Sequence, residues 1–124
     1  TGNGATFTVD YDDEIFDQNS DFTNDTFTAP ITGRYCVMAS AGIEGRTTAH
    51  KETTINILSS NRNIRQDQAW SIGILGTCAS IIALVDMDAS DTFTITVRNQ
   101  GESGNVHDIR TGGEGTQVSV FLMG

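Results

Sequence analysis

Proline occurs once in these 124 residues, tryptophan once, histidine twice and cysteine twice. Each scarcity removes a class of explanation. Cys36 and Cys78, 42 residues apart, permit one disulfide at most and form no zinc or redox motif by spacing. Each lies in an apolar stretch, where a free thiol packs as a small hydrophobe, so two buried thiols and one disulfide both stand open. His50 and His107 are 57 residues apart with no clustered cysteine, which argues against zinc or redox metals. No apolar run approaches the roughly 18 residues of a membrane span, and no basic segment leads into an apolar one at the start. Membrane insertion is therefore not expected. No phosphate-cradling glycine loop precedes a helix, because no convincing helix is visible.

Positive charge is also sparse. Sixteen acids against seven bases give a net charge of −9. The imbalance is local: before Arg34 there are Asp10, Asp12, Asp13, Glu14, Asp17, Asp21 and Asp25, and no Lys or Arg. Such a field repels phosphates, so no nucleic acid partner is expected. It reads as a solvated face, or as a complement to a cation or to a basic patch on a neighbouring subunit. The bases Arg46, Lys51, Arg62 and Arg65 cluster in sequence and offer that complement, as heterologous contacts that close a ring.

What is present is alternation. Ala5, Phe7 and Val9, then Ile55 and Ile57, then Phe93, Ile95 and Val97, then Val118, Val120 and Leu122 recur at period two against polar residues. Further strands are expected at 14–17, 26–29, 34–41, 69–75 and 77–86. The last also fits helical spacing through Cys78, Ile81, Ile82 and Val85. It is read as a strand buried on both faces, because Gly73 and Gly76 precede it and a turn-rich segment ends it. Short strands with Gly, Asn and Asp breaks predict an all-β sandwich or barrel. At 124 residues the chain is the size of one domain, and its start, Thr1-Gly2-Asn3-Gly4, suits a domain excised from a longer protein.

Three chemistries can be read into the remaining residues. Thr48-Ala49-His50 and Gly101-Glu102-Ser103-Gly104 are similar to the histidine and serine boxes of chymotrypsin-like proteases, a remote hydrolase reading. That fold needs two barrels, and only 21 residues follow Ser103. Asp86, Asp88 and Asp91 place three carboxylates in one short loop, which suits calcium; the other reading is a turn whose Asp side chains cap their own backbone. The glycine-rich stretch from Gln100 to Thr116 is long for a compact domain, and such loops serve recognition or excursion. Its Asn105, His107, Asp108 and Arg110, with Arg46 and His50 of the 43–52 loop, are the candidate ligand contacts.

The segment Thr26-Phe27-Thr28-Ala29-Pro30-Ile31-Thr32-Gly33-Arg34-Tyr35 is a strand, a forced break and a second strand. Preceded by Ile15, Phe16 and Phe22, it resembles the opening of the complement C1q globular-head family, itself similar to the tumour necrosis factor jelly roll. The resemblance extends through Leu84–Val97 and the closing Val118–Leu122. In style it is closest to bacteriophage and bacterial fibre heads, although Cys36 and Val37 stand where aromatics usually follow the tyrosine. The resemblance implies a ten-stranded jelly-roll sandwich of two antiparallel sheets, assembled as a homotrimer. It implies one domain spanning 1–124, placed as the C-terminal head of a fibrous protein on a virion or in the extracellular space. It implies binding rather than catalysis, with no cofactor beyond calcium at the aspartate loop. The partner would be a host-surface glycan or receptor; the rival is a structural trimerisation cap or capsid decoration. It also puts Cys36 and Cys78 on neighbouring strands, where register decides whether they bridge.

Overall fold

The computed structural model describes residues 4–11, 21–45, 49–69, 77–101, 108–110 and 115–124. Among them are ten strands and no helix, in two antiparallel sheets. The strands are β1 (Thr6–Thr8), β2 (Phe22–Thr23), β3 (Thr26–Thr28), β4 (Gly33–Glu44), β5 (Glu52–Ser59), β6 (Asn63–Ala69), β7 (Thr77–Met87), β8 (Thr92–Gln100), β9 (Asp108–Ile109) and β10 (Gln117–Leu122). One sheet runs β2-β3-β8-β5-β6, with β1 also on β8; the other runs β10-β4-β7, with β9 also on β4.

The core lies between the sheets and is supplied by the alternation. On β4 the inward residues Tyr35, Val37, Ala39, Ala41 and Ile43 are all buried, and they face Ile55, Ile57, Phe93, Ile95 and Val97 of the other sheet. Phe27 stacks on Phe93 at 5.0 Å between ring centroids and meets Tyr35 edge-on at 5.5 Å. These aromatic pairs add about 0.5–1.5 kcal/mol each beyond the area they bury. The Tyr35 hydroxyl then donates to the Ile31 carbonyl at 2.7 Å, so one side chain ties the core to the turn after Pro30. Gly33 lets Leu122 pack closely there: a Cβ would stand 2.6 Å from Leu122 Cδ1, and the leucine would have to change rotamer.

Several expectations change. The 77–86 segment is a strand, as expected, but it is buried on one face only. Ala79, Ile81, Val85 and Met87 point inward, whereas Ile82 is 72% and Leu84 52% exposed. Among the described residues nothing covers that outer face of β7, which is why a period-two apolar pattern on both faces misreads as full burial. Strand β6 has no counterpart among the expected strands. Its sequence Asn-Ile-Arg-Gln-Asp-Gln-Ala carries little apolar alternation, and among its described side chains only Ile64 packs against the core, as suits an edge strand. The stretch 100–116 is not wholly irregular, because Asp108–Ile109 pairs with Ile43–Glu44. The strand expected at 14–17 lies outside the described residues, as does all of 69–75 except residue 69.

The cysteines are indeed on neighbouring strands, and both are free thiols. Cys36 lies opposite Leu84, and Cys78 lies opposite Gly42. Six residues along β4 separate the two positions, about 20 Å at the strand rise, far beyond disulfide reach. Cys36 is buried, but Cys78 is exposed, so only one of the two behaves as the expected buried hydrophobe.

Candidate functional site

One end of the sandwich gathers the two loops that the sequence singled out. Here β4 ends at Glu44, β5 begins at Glu52, β8 ends at Gln100 and β9 is inserted beside β4. The Lys51 amide donates to the Gln100 carbonyl at 3.0 Å, and the Arg110 amide donates to the Gly42 carbonyl at 2.8 Å. The Gly42 amide in turn donates to Thr116 Oγ1 at 2.9 Å. Gly101 makes the close crossing possible. At φ +117° it holds a backbone that L residues rarely adopt, and a Cβ would stand 2.4 Å from the Ala49 carbonyl oxygen.

The side chains at this end are mixed in charge. Arg110 Nε donates to Glu44 Oε1 at 2.7 Å, with side chains 37% and 55% exposed. Asp108, opposite Glu44 in register, and Lys51, beside Gln100, are exposed. His50, a candidate contact, is 4% exposed, so its ring belongs to the packed base of the loop and not to the outer surface. Beneath it Thr53 Oγ1 donates to Asn99 Oδ1 at 2.6 Å, a fully buried polar pair. The candidates Asn105, His107 and Arg46 lie outside the described residues, as does Ser103 of the hydrolase reading.

Tyr11 packs against the sandwich. It meets Phe22 edge-on at 6.2 Å, and its hydroxyl reaches the Ser40 carbonyl at 3.2 Å. Burial, and then the neighbouring Cys78 and Asp25, push its phenol well above the ordinary value.

The bases clustered in sequence are scattered in space. Lys51 stands at the loop end, Arg62 in the opposite turn, and Arg65 on the outer face of β6, where it clamps Asp67 through two 2.6 Å bonds. The Arg65 hydrogen bond is the largest cause holding the Asp67 carboxyl below the usual range.

The Asp86, Asp88 and Asp91 set lies at that opposite end. Asp91 caps its own turn: it accepts from the Asp88 amide at 2.8 Å, from Ser60 Oγ at 3.0 Å and from the Asn61 amide group. Asp86 is taken by Arg34, Nε to Oδ1 at 2.9 Å. Among the described residues no three His, Cys, Asp or Glu side chains gather as a metal would need. The turn-capping reading therefore describes Asp91, and the sequence missed what capping builds, a tie between residues 60–61 and the 88–91 turn.

No protein-family model matches the chain, and no curated protein matches it. Among solved structures, the globular domain of zebrafish complement 1qA superposes with a TM-score of 0.54, covering 98% of this chain and 92% of that one, at 16% identity. The fold is C1q-like. At that identity the likeness speaks for architecture alone. It leaves the C1q-like sandwich here to be read for function from its own surfaces.

The most conspicuous of those surfaces is the outer face of β10-β4-β7. Phe121, Cys36 and Leu84 form one cross-strand row, and Met38 and Ile82 stand in the next. Phe121 is 49% and Met38 37% exposed.

Proposed function

We propose that this domain is a homotrimeric recognition head, a single unit over 1–124 at the C-terminal tip of a longer fibrous protein on a virion or other extracellular surface. It attaches to a host-surface glycan or receptor through the end formed by 43–52 and 100–116. The observation that carries the reading is the apolar outer face of β10-β4-β7. Phe121, Leu84, Met38 and Ile82 are adjacent across strands, and a contiguous apolar patch on a soluble domain marks an association surface. Packing such faces together removes apolar area at roughly 25 cal/mol per Å². Three loop ends on one head then multiply weak contacts without any single tight site.

A second reading, a structural cap or capsid decoration with no ligand of its own, draws on one observation. Arg110 and Glu44 satisfy each other's charge at the loop end. The two readings separate in one experiment on the domain: mass by light scattering at micromolar concentration, followed by a glycan array and attachment to host cells. A trimer that binds supports the recognition head. A trimer that attaches to nothing leaves the cap, and a monomer of 13.3 kDa overturns both.

A further inference from the structure

A recess lies at the end of the sandwich away from the loops. It has a volume of about 690 Å³, within the roughly 300–1,000 Å³ of small-molecule sites, and is lined by Arg34, Asn61, Arg62, Leu84, Asp86 and Asp88 among others. Leu84, Met87 and Met123 give it an apolar wall, and Arg34, Asn61, Arg62, Asp86 and Asp88 supply charge and hydrogen bonds. Arg34 spends only Nε on Asp86, leaving its terminal nitrogens to serve a ligand. No described carboxylate pairs with Arg62, although the chain carries more than twice as many acids as bases. The walls are fixed in advance. Asp91 holds Ser60 and Asn61 against the 88–91 turn, and the Ser60 amide donates to the Thr92 carbonyl at 2.9 Å.

We infer that this recess binds a carboxylated sugar, a uronic or sialic acid unit of a surface glycan, with the carboxylate on Arg62 and Arg34 and the hydroxyls on Asp86 and Asp88. Guanidinium and carboxylate match as a fork and give charge-assisted bonds about twice as strong as neutral ones. Ionised aspartates accept and never donate, so they select hydroxyl-bearing groups. The same aspartates repel a multiply charged phosphate or sulfate cluster, and a neutral sugar leaves Arg62 without an opposite charge. The volume has room for more than one pyranose ring, which fits a unit within a chain. The assignment rests on the reading of the domain as a recognition head; Arg34 and Asp86 form the row after Cys36 and Leu84 on the outer face of β10-β4-β7, so the recess stands at the rim of the face that the reading packs between copies, with the exposed Arg62 on its other side.

The test uses the assembled domain, labelled for amide NMR. It is titrated with 3′-sialyllactose and a glucuronate-containing tetrasaccharide, and with lactose and cellotetraose as neutral counterparts. The expected result is shifts at the amides of Asn61, Arg62 and Asp88, and affinity about 10-fold higher for the acidic sugars, falling with added salt. Arg62→Ala removes that preference, and Arg62→Lys keeps part of it. Because no described residue accepts a bond from the Arg62 side chain, the variants stay folded, checked by unchanged thermal unfolding. Equal binding of acidic and neutral sugars, or shifts confined to 43–52 and 108–110, overturns the recess assignment and keeps the recognition head. Absence of any glycan binding overturns the assignment, and the head reading then stands or falls on host-cell attachment.

Discussion

Arg110 and Glu44, 66 residues apart, meet at 2.7 Å where β9 joins the end of β4. The pair is surface-exposed, so its contribution to stability is small, about 0–1 kcal/mol. Its consequence is positional, since it ties residues 108–110 to the end of β4. Arg110→Ala is expected to leave the melting temperature nearly unchanged while weakening attachment to host cells. Unchanged attachment with normal folding would remove this end from the recognition surface.

Gly101 carries more of the fold than any charged residue near it. Its positive φ, and an Ala49 carbonyl oxygen that would stand 2.4 Å from any Cβ, leave no room for a side chain. Gly101→Ala should cost on the order of 1–3 kcal/mol for the strained backbone, plus displacement of the 49–51 backbone. Urea unfolding measures the first, and loss of amide protection at Lys51, whose N–H bonds to Gln100, reports the second.

Much of this architecture is legible in the chain because the physics that forms it is local. Phe93, Ile95 and Val97 alternate with threonines and are buried as that pattern requires. The Pro30 break and Tyr35 mark the corner between β3 and β4, and the structure puts Tyr35 in the core with its hydroxyl back on that corner. What escapes the sequence is whatever depends on a neighbour far along the chain. The polar strand β6 exists because β5 offers it an edge, not because of its own pattern. β9 is two residues long, below any periodicity. At the candidate site the described ends of 43–52 and 100–116 meet through Lys51 and Gln100 and through Arg110 and Gly42, but the burial of His50 and the scatter of Arg62 and Arg65 follow from register, which spacing does not encode. The recess at the other end was legible only as an aspartate-rich turn.

The two thiols give a direct chemical check on the register of β4 against β7. Ellman's reagent should find two free thiols in the unfolded, unreduced protein. In the folded domain Cys78 should react readily, because it is exposed with the Gly115 carbonyl at 3.2 Å beside its sulfur. Cys36, covered between Leu84 and Phe121, should react only on unfolding. A slip of β7 by one residue against β4 would turn Cys78 to the inner face, change the outer row altogether and silence its reaction. Fast reaction at Cys36 in the folded state, or an unreduced thiol count below two, contradicts this arrangement.

Acid should loosen the end that holds the recess, and Asp91 sets the direction. Its carboxyl is held below the ordinary aspartate range chiefly by the Asp88 backbone N–H, and further by the Ser60 hydroxyl and the Asn61 amide. A group whose folded pKa is depressed binds fewer protons folded than unfolded. Its stabilisation is therefore complete above the unfolded value of about 3.9 and is lost as pH falls through the lower folded value. Asp67, depressed by Arg65, acts with the same sign. Thermal unfolding followed from neutral pH into the acid range should show the wild-type domain losing stability below the aspartate range. Asp91→Asn should start lower at neutral pH, because an amide cannot accept on both sides, and should fall less steeply, so that the two curves converge in acid. Curves that stay parallel would mean that the 88–91 turn holds without its carboxylate, and the tie between Asn61 and the recess wall would then need another source.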